Sequence, residues 1–244
     1  MQNQANPPFL ASIGIAVVLA VAGCGEDEPT GGDGAPAPVD TSTAEMRAPG
    51  DAPAGESAPP SAVEPPADEP AVEATEHTVT YDWAAPSEQV TIEHSVTAPT
   101  PYLVAIYTGE HPEGDPPYQR VAFYFREGFP EYNLQYVPTV QNEGSGEPIA
   151  LDGNAFLRIG FVNAQAHDDA GESTVTVAPA GPIGFQNLKE VGSAGDFEGH
   201  LSYGLGLQVA PNSDQVLLVR AGELTKPDDA GGTYHVVYVD IEAG

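Results

Sequence analysis

A boundary at His77 divides this chain into a part that cannot fold and a part that must. From Gly25 to Glu76 the sequence is built of Pro, Ala, Gly, Glu, Asp, Ser and Thr, with pairs such as Pro59-Pro60 and Pro65-Pro66 and no aromatic residue. Such a segment has too little apolar surface to offset the entropy of ordering it, so a disordered tether is expected over 24–76. Proline and like charge extend it, to roughly 40 Å as a flexible coil and up to about 160 Å as full polyproline II. Everything that can pack lies in residues 77–244.

Beyond the boundary the apolar residues alternate in short runs broken by Pro and Gly, and no stretch shows convincing amphipathic helical spacing. The runs are Thr78 to Trp83, Gln89 to Val96, Tyr102 to Thr108, Tyr118 to Glu127, Tyr132 to Tyr136, Ala155 to Val162, Gln215 to Arg220 and Thr233 to Ile241. Shorter pieces near Ile149 to Leu151, Thr174 to Val177 and Leu188 to Val191 add candidates. The breaks fall at Ala98-Pro99-Thr100-Pro101, His111 to Pro117, Asn142 to Gly146, Gly181 to Gly184 and Gly192 to Gly195. Period-two alternation with turn residues between runs predicts an all-β domain of about ten short strands, a β-sandwich or flattened barrel. The clearest run sends Val121, Phe123 and Phe125 to one face and Tyr118, Arg120, Tyr124 and Arg126 to the other. Gly128-Phe129-Pro130 reads as a hairpin turn after it. The run from Asp196 to Leu207 reads as one segment with Phe197, Leu201, Tyr203, Leu205 and Leu207 on one side. Its outer glycines suggest a bulge or the close approach of another backbone or ligand. The last run is apolar on both faces and is expected at the centre of a sheet, and Thr225 to Gly232 before it reads as a loop.

Upstream of the tether, Phe9 to Ala22 is unbroken apolar sequence ending in Val21-Ala22-Gly23-Cys24, and Cys24 is the only cysteine. Its length suits a signal-peptide core and is short for a membrane span. The small residues before Cys24 resemble a lipobox, which implies a signal peptide over 1–23, lipidation of Cys24 and a mature chain held on the extracytoplasmic face of the cell membrane by acyl chains, two or more being needed for stable anchoring. Met1 to Pro8 lacks the usual Lys or Arg; the alternative is an uncleaved anchor helix from about Phe9 to Cys24. With one cysteine there is no intramolecular disulfide, and packing alone must hold the domain.

The balance of 36 Asp plus Glu against 7 Lys plus Arg gives a formal net charge of -29. This excludes nucleic acid and other polyanions as electrostatically driven partners, since binding them depends on Lys and Arg. From His77 onward only Arg120, Arg126, Arg158, Lys189, Arg220 and Lys226 oppose 23 acidic residues. So acidic a folded domain suggests a salt-rich habitat where screening weakens self-repulsion, with a calcium-collecting surface as the competing idea.

The six histidines, His77, His94, His111, His167, His200 and His235, are scattered without zinc spacing, and Asp168-Asp169 and Asp228-Asp229 follow no calcium-loop register. No nucleophile elbow or phosphate loop occurs, so no catalytic residue, metal or cofactor is expected. Two constellations remain. Asp196 and Glu198 flank Phe197 and would share a face of a strand, the arrangement an acid/base pair requires, although pairing with strand neighbours or capping a turn explains them as well. Tyr118, Arg120, Tyr124 and Arg126 form an outward row in which rings can stack on sugars and guanidiniums can clamp carboxylates, or merely stabilise the sheet across strands.

Several ordered blocks point to a family: Tyr118 to Phe125, Pro130-Glu131-Tyr132 through Tyr136-Val137, Gly144 to Pro148, Gly195-Asp196-Phe197-Glu198-Gly199 and Tyr203-Gly204-Leu205-Gly206-Leu207. In order and spacing, from about Tyr102 to the C-terminus, these resemble the AMIN-like domain of actinobacterial lipoproteins. The resemblance implies a membrane-anchored, wall-facing β-rich domain, distantly similar to the β-sandwich modules that target amidases and secretion machinery to peptidoglycan. No amidase activity is implied, because there is no room for a catalytic domain. The resulting expectation is a lipid-anchored, non-catalytic envelope protein that binds peptidoglycan or an envelope partner through Tyr118, Arg120, Tyr124, Arg126, Asp196 and Glu198. The rivals are a small wall hydrolase using Asp196 and Glu198, and a structural lipoprotein that scaffolds partners without a small ligand.

Overall fold

The computed structural model describes residues 73–211, 216–228 and 230–244. The apolar run, Cys24 and most of the tether lie outside the described residues. Ten strands follow one another: β1 (Glu76–Ala84), β2 (Val90–Ile92), β3 (Tyr102–His111), β4 (Tyr118–Arg126), β5 (Glu131–Val137), β6 (Ala155–Val162), β7 (Leu188–Phe197), β8 (His200–Leu207), β9 (Val219–Pro227) and β10 (Thr233–Glu242). No helix occurs among the described residues. The strands form two five-stranded sheets, ordered β1-β9-β10-β4-β3 and β2-β5-β6-β8-β7. All neighbours in both are antiparallel. The molecule is a sandwich, not a closed barrel.

Alternation in β4 sets up the core. Val121, Phe123 and Phe125 are fully buried between the sheets and meet β6 and β8. The Phe123 ring lies 5.1 Å from Phe161 and 5.3 Å from Tyr203, and Phe125 lies 4.9 Å from Phe161. Each such side chain contributes about 1.5–3 kcal/mol by leaving water. β10 is the third of the five strands in its sheet, and its Val236, Val237, Tyr238, Val239 and Ile241 are all buried. Its apolar residues on both faces reflect that central place.

Several local expectations fail for identifiable reasons. β4 and β5 do not pair as a hairpin, because both edges of β4 are taken, by β10 and β3. Glu127 and Gly128 adopt φ of 70° and 142°, and the chain crosses at that corner into the second sheet. The segment from Asp196 to Leu207 is not one strand: Glu198 and Gly199, with φ of 51° and 77°, turn β7 into β8 and leave Phe197 exposed. The expected break over Gly192 to Gly195 is strand, since those glycines serve packing. A Cβ on Gly192 would lie 2.6 Å from Leu151, and one on Gly195 3.0 Å from Glu143, both on the loop that covers the sheet. Ile149 to Leu151 forms no strand, only a bridge between Gln141 and Pro148 beside it. Thr225 to Pro227 extends β9 where a loop is expected, and Val216 to Leu218, expected as strand, precede it without being part of it.

Candidate functional site

The outer face of the first sheet carries the polar row of β4, and register decides what stands beside each member. Arg120 pairs with Asp240 on β10, which pairs with Arg220 on β9. Two guanidiniums therefore flank one carboxylate. Arg120 donates from Nε to Oδ1 at 2.7 Å and from Nη2 to Oδ2 at 3.0 Å, while Arg220 donates to Oδ2 at 3.0 and 2.6 Å. Asp240 is fully buried, which such bonding permits. Aromatic rings pack around the cations: Arg120 lies 3.9 Å from the Tyr238 ring centre, and Arg220 4.7 Å from Trp83 and 5.1 Å from Tyr118. Tyr118 stacks on His111 at 4.5 Å. Burial, followed by the charge of Asp240, pushes the Tyr238 hydroxyl up to about 12, so it remains protonated. His77 Nε2 lies 2.6 Å from that hydroxyl.

At the other end of the face is a cavity of about 310 Å³, within the range of small-ligand sites. Its floor is aromatic. Tyr124 meets Tyr107 edge-on at 5.0 Å and Tyr234 at 5.4 Å. Its charge is supplied by Arg126, 4.5 Å above Tyr234, and Lys226, 5.6 Å above Tyr124, against Asp228. Arg126 bonds the Asp228 carboxylate and donates to the Tyr234 hydroxyl at 3.3 Å. Backbone N–H groups of Gly232 and Ala230, followed by Arg126, hold Asp228 below its ordinary carboxylate range. One wall is the extended strap from Ser173 to Val177, whose Val177 bridges Ala105 on the outer edge of β3. Thr174 and Thr176 of the strap line this cavity.

The row expected from the sequence is thus split. Tyr124 and Arg126 line the cavity, whereas Tyr118 and Arg120 belong to the ion-paired cluster at the far end, where Arg120 is locked onto Asp240. Tyr124 itself is only 2% exposed, so it forms floor more than rim. Asp196 and Glu198 lie elsewhere. Glu198 sits at the β7–β8 turn in the left-handed region, and Asp196 accepts hydrogen bonds from Ala166 N–H at 3.0 Å and from His167 Nδ1 at 2.7 Å. The turn therefore removes the shared strand face that their spacing suggests. Trp83, Tyr107, Arg220, Lys226, Asp228, Tyr234, Tyr238 and Asp240 are participants that the sequence reading does not single out. The alternation of Tyr234, Tyr238 and Asp240 in β10 is the one signal that could have shown part of them.

Among the described residues no group of three or more His, Cys, Asp or Glu side chains is placed to hold a metal ion. The family model of the AMIN-like domain matches residues 101–241, more than half of the chain. No curated protein and no solved structure matches it significantly.

Proposed function

Because the chain belongs to the AMIN-like domain family, we propose that it is a non-catalytic, lipid-anchored envelope protein whose sandwich binds peptidoglycan on the outer face of β3, β4, β9 and β10. AMIN-like domains are binding domains of extracytoplasmic envelope proteins, associated with peptidoglycan. The observation that carries the reading is the tyrosine-floored cavity, where Arg126 and Lys226 outnumber Asp228 in a chain of net charge -29. Rings offer faces to sugars, and the cations offer partners to the carboxylates of wall peptides. Lipidation of Cys24 would hold the domain on the cell membrane, as in the actinobacterial lipoproteins it resembles. The tether over 24–76 would let it reach outward to the wall.

The test is co-sedimentation of the full chain with purified peptidoglycan stripped of wall polymers, over a salt series. Tyr234→Ala and Tyr107→Ala, both of half-buried rings, are expected to weaken retention at least tenfold, as loss of a stacking face does in aromatic recognition sites. Arg120→Ala is the poorer probe, because it strips a buried carboxylate of one partner and perturbs the fold. If the protein stays in the supernatant at every salt concentration, direct wall binding fails and an envelope protein becomes the partner to seek. Incorporation of labelled fatty acid that is abolished by Cys24→Ser tests the anchor separately.

A further inference from the structure

A second cavity, of about 470 Å³, opens between β3 of one sheet and β7 and β8 of the other. The strap that bounds the first cavity bounds this one too, with alternate residues: Thr174 and Thr176 face outward, Ser173 and Val175 inward. The walls are apolar, with Ile106, Val175, Val191 and Leu201 prominent. At one side stand Asp196 and His167, and the lining holds no Lys or Arg.

Asp196 is bonded on one oxygen only. Its Oδ2 takes both the Ala166 N–H and His167 Nδ1, whereas Oδ1 is shut off from solvent without a hydrogen-bond partner. An anionic oxygen in that condition loses its hydration with nothing in exchange, and a turn of the carboxylate that brought it to a donor in the cavity would recover the loss. In the tautomer whose Nδ1 donates to Asp196, the His167 ring has Nε2 as a second acceptor. Tyr203, also in the lining, is pushed up by burial and then by the charge of Asp196, so it remains a neutral phenol. The cavity therefore offers a carboxylate, a ring acceptor and an aliphatic wall. The exposed loop beside it adds Asp168, Asp169 and Glu172 to a field already set by the acidic chain.

We propose that this cavity binds a primary ammonium group on a short aliphatic stem, with Asp196 as its counter-ion and the apolar wall taking the stem. The site is independent of the tyrosine cavity, so either can fail without the other.

The experiment is a titration of the full chain with n-butylammonium, followed by NMR and calorimetry, with n-butanol as the uncharged stem of similar size. Saturable binding of the amine is expected, at least tenfold tighter than the alcohol. Asp196→Asn should weaken it at least tenfold, while Tyr234→Ala leaves it unchanged. Ser193→Leu puts a bulky side chain into the lining and should weaken binding at least tenfold, which keeps the test decisive if Asp196→Asn does not fold. Equal affinity for the alcohol, undiminished binding in Ser193→Leu, or no binding of the amine would each overturn the proposal, the last leaving a structural His–Asp pair only.

Discussion

Asp240 shows how far one side chain can organise a surface. Its carboxylate is fully buried yet binds two guanidiniums, so the three residues carry one net positive charge on the face of an acidic protein. Removing the carboxylate strands both cations against a ring of aromatics, whereas removing either arginine leaves Asp240 one partner. Asp240→Ala is therefore expected to cost the most, about 3–5 kcal/mol, with Arg120→Ala next and the more exposed Arg220→Ala least, as read from urea unfolding midpoints. A second residue sets a pH response. Burial holds the His235 imidazole below its ordinary 6.5, against the opposing charge of Glu127. The unfolded chain then binds the proton more readily, so this contribution to stability is complete above about 6.5 and is lost as the pH falls through the lower folded value. His235→Leu should flatten that part of the stability profile between neutral and mildly acidic pH. At this scale the sequence shows a face but not a partner. Alternation alone sets Arg120 opposite Val121, but its pairing with Asp240, 120 residues away, depends on register between strands that no local pattern encodes.

Among whole elements, β8 shows why a strand can require glycine. A loop lies across its sheet, and the Cβ that any other residue would add meets that loop. At Gly204 it would fall 2.7 Å from Leu151 and 2.8 Å from Val140, and at Gly206 it would collide with the Asp152 carbonyl oxygen. Gly206→Ala should destabilise by about 1–3 kcal/mol because backbone must move, with Gly204→Ala milder because side chains can yield. Gly184, with open space where a Cβ would stand, is the control, and Gly184→Ala should stay within about 0.5 kcal/mol of the parent in the same unfolding series. The close approach was legible in the Tyr203 to Leu207 pattern, but not the identity of what approaches. The central place of β10 was legible from its two apolar faces. The β4–β5 crossing was not, because Gly128-Phe129-Pro130 reads the same whether the next strand pairs with the last or joins the opposite sheet. For the same reason the shared face assigned to Asp196 and Glu198 vanished once Glu198-Gly199 became a turn.

At the scale of the molecule, net charge and binding pull against each other. From His77 onward 23 acidic side chains face six cations, and the wall carries carboxylates of its own, so at low salt the protein and its proposed ligand repel as wholes. The Debye length falls from about 10 Å at 0.1 M to about 3 Å at 1 M, which screens charges spread over the surface while leaving contacts inside a partly enclosed cavity much less affected. Screening should also relieve self-repulsion within the domain, so its thermal midpoint should climb over the same range. If tyrosine faces and short cation–carboxylate contacts hold the wall, the fraction that sediments with peptidoglycan should rise from 0.1 M toward 1 M salt, and Tyr234→Ala should lower the whole curve without changing that trend. Retention that is strongest at low salt and fades as salt is added would mean attachment through exposed charge pairs, and the tyrosine cavity would then have no part in wall binding.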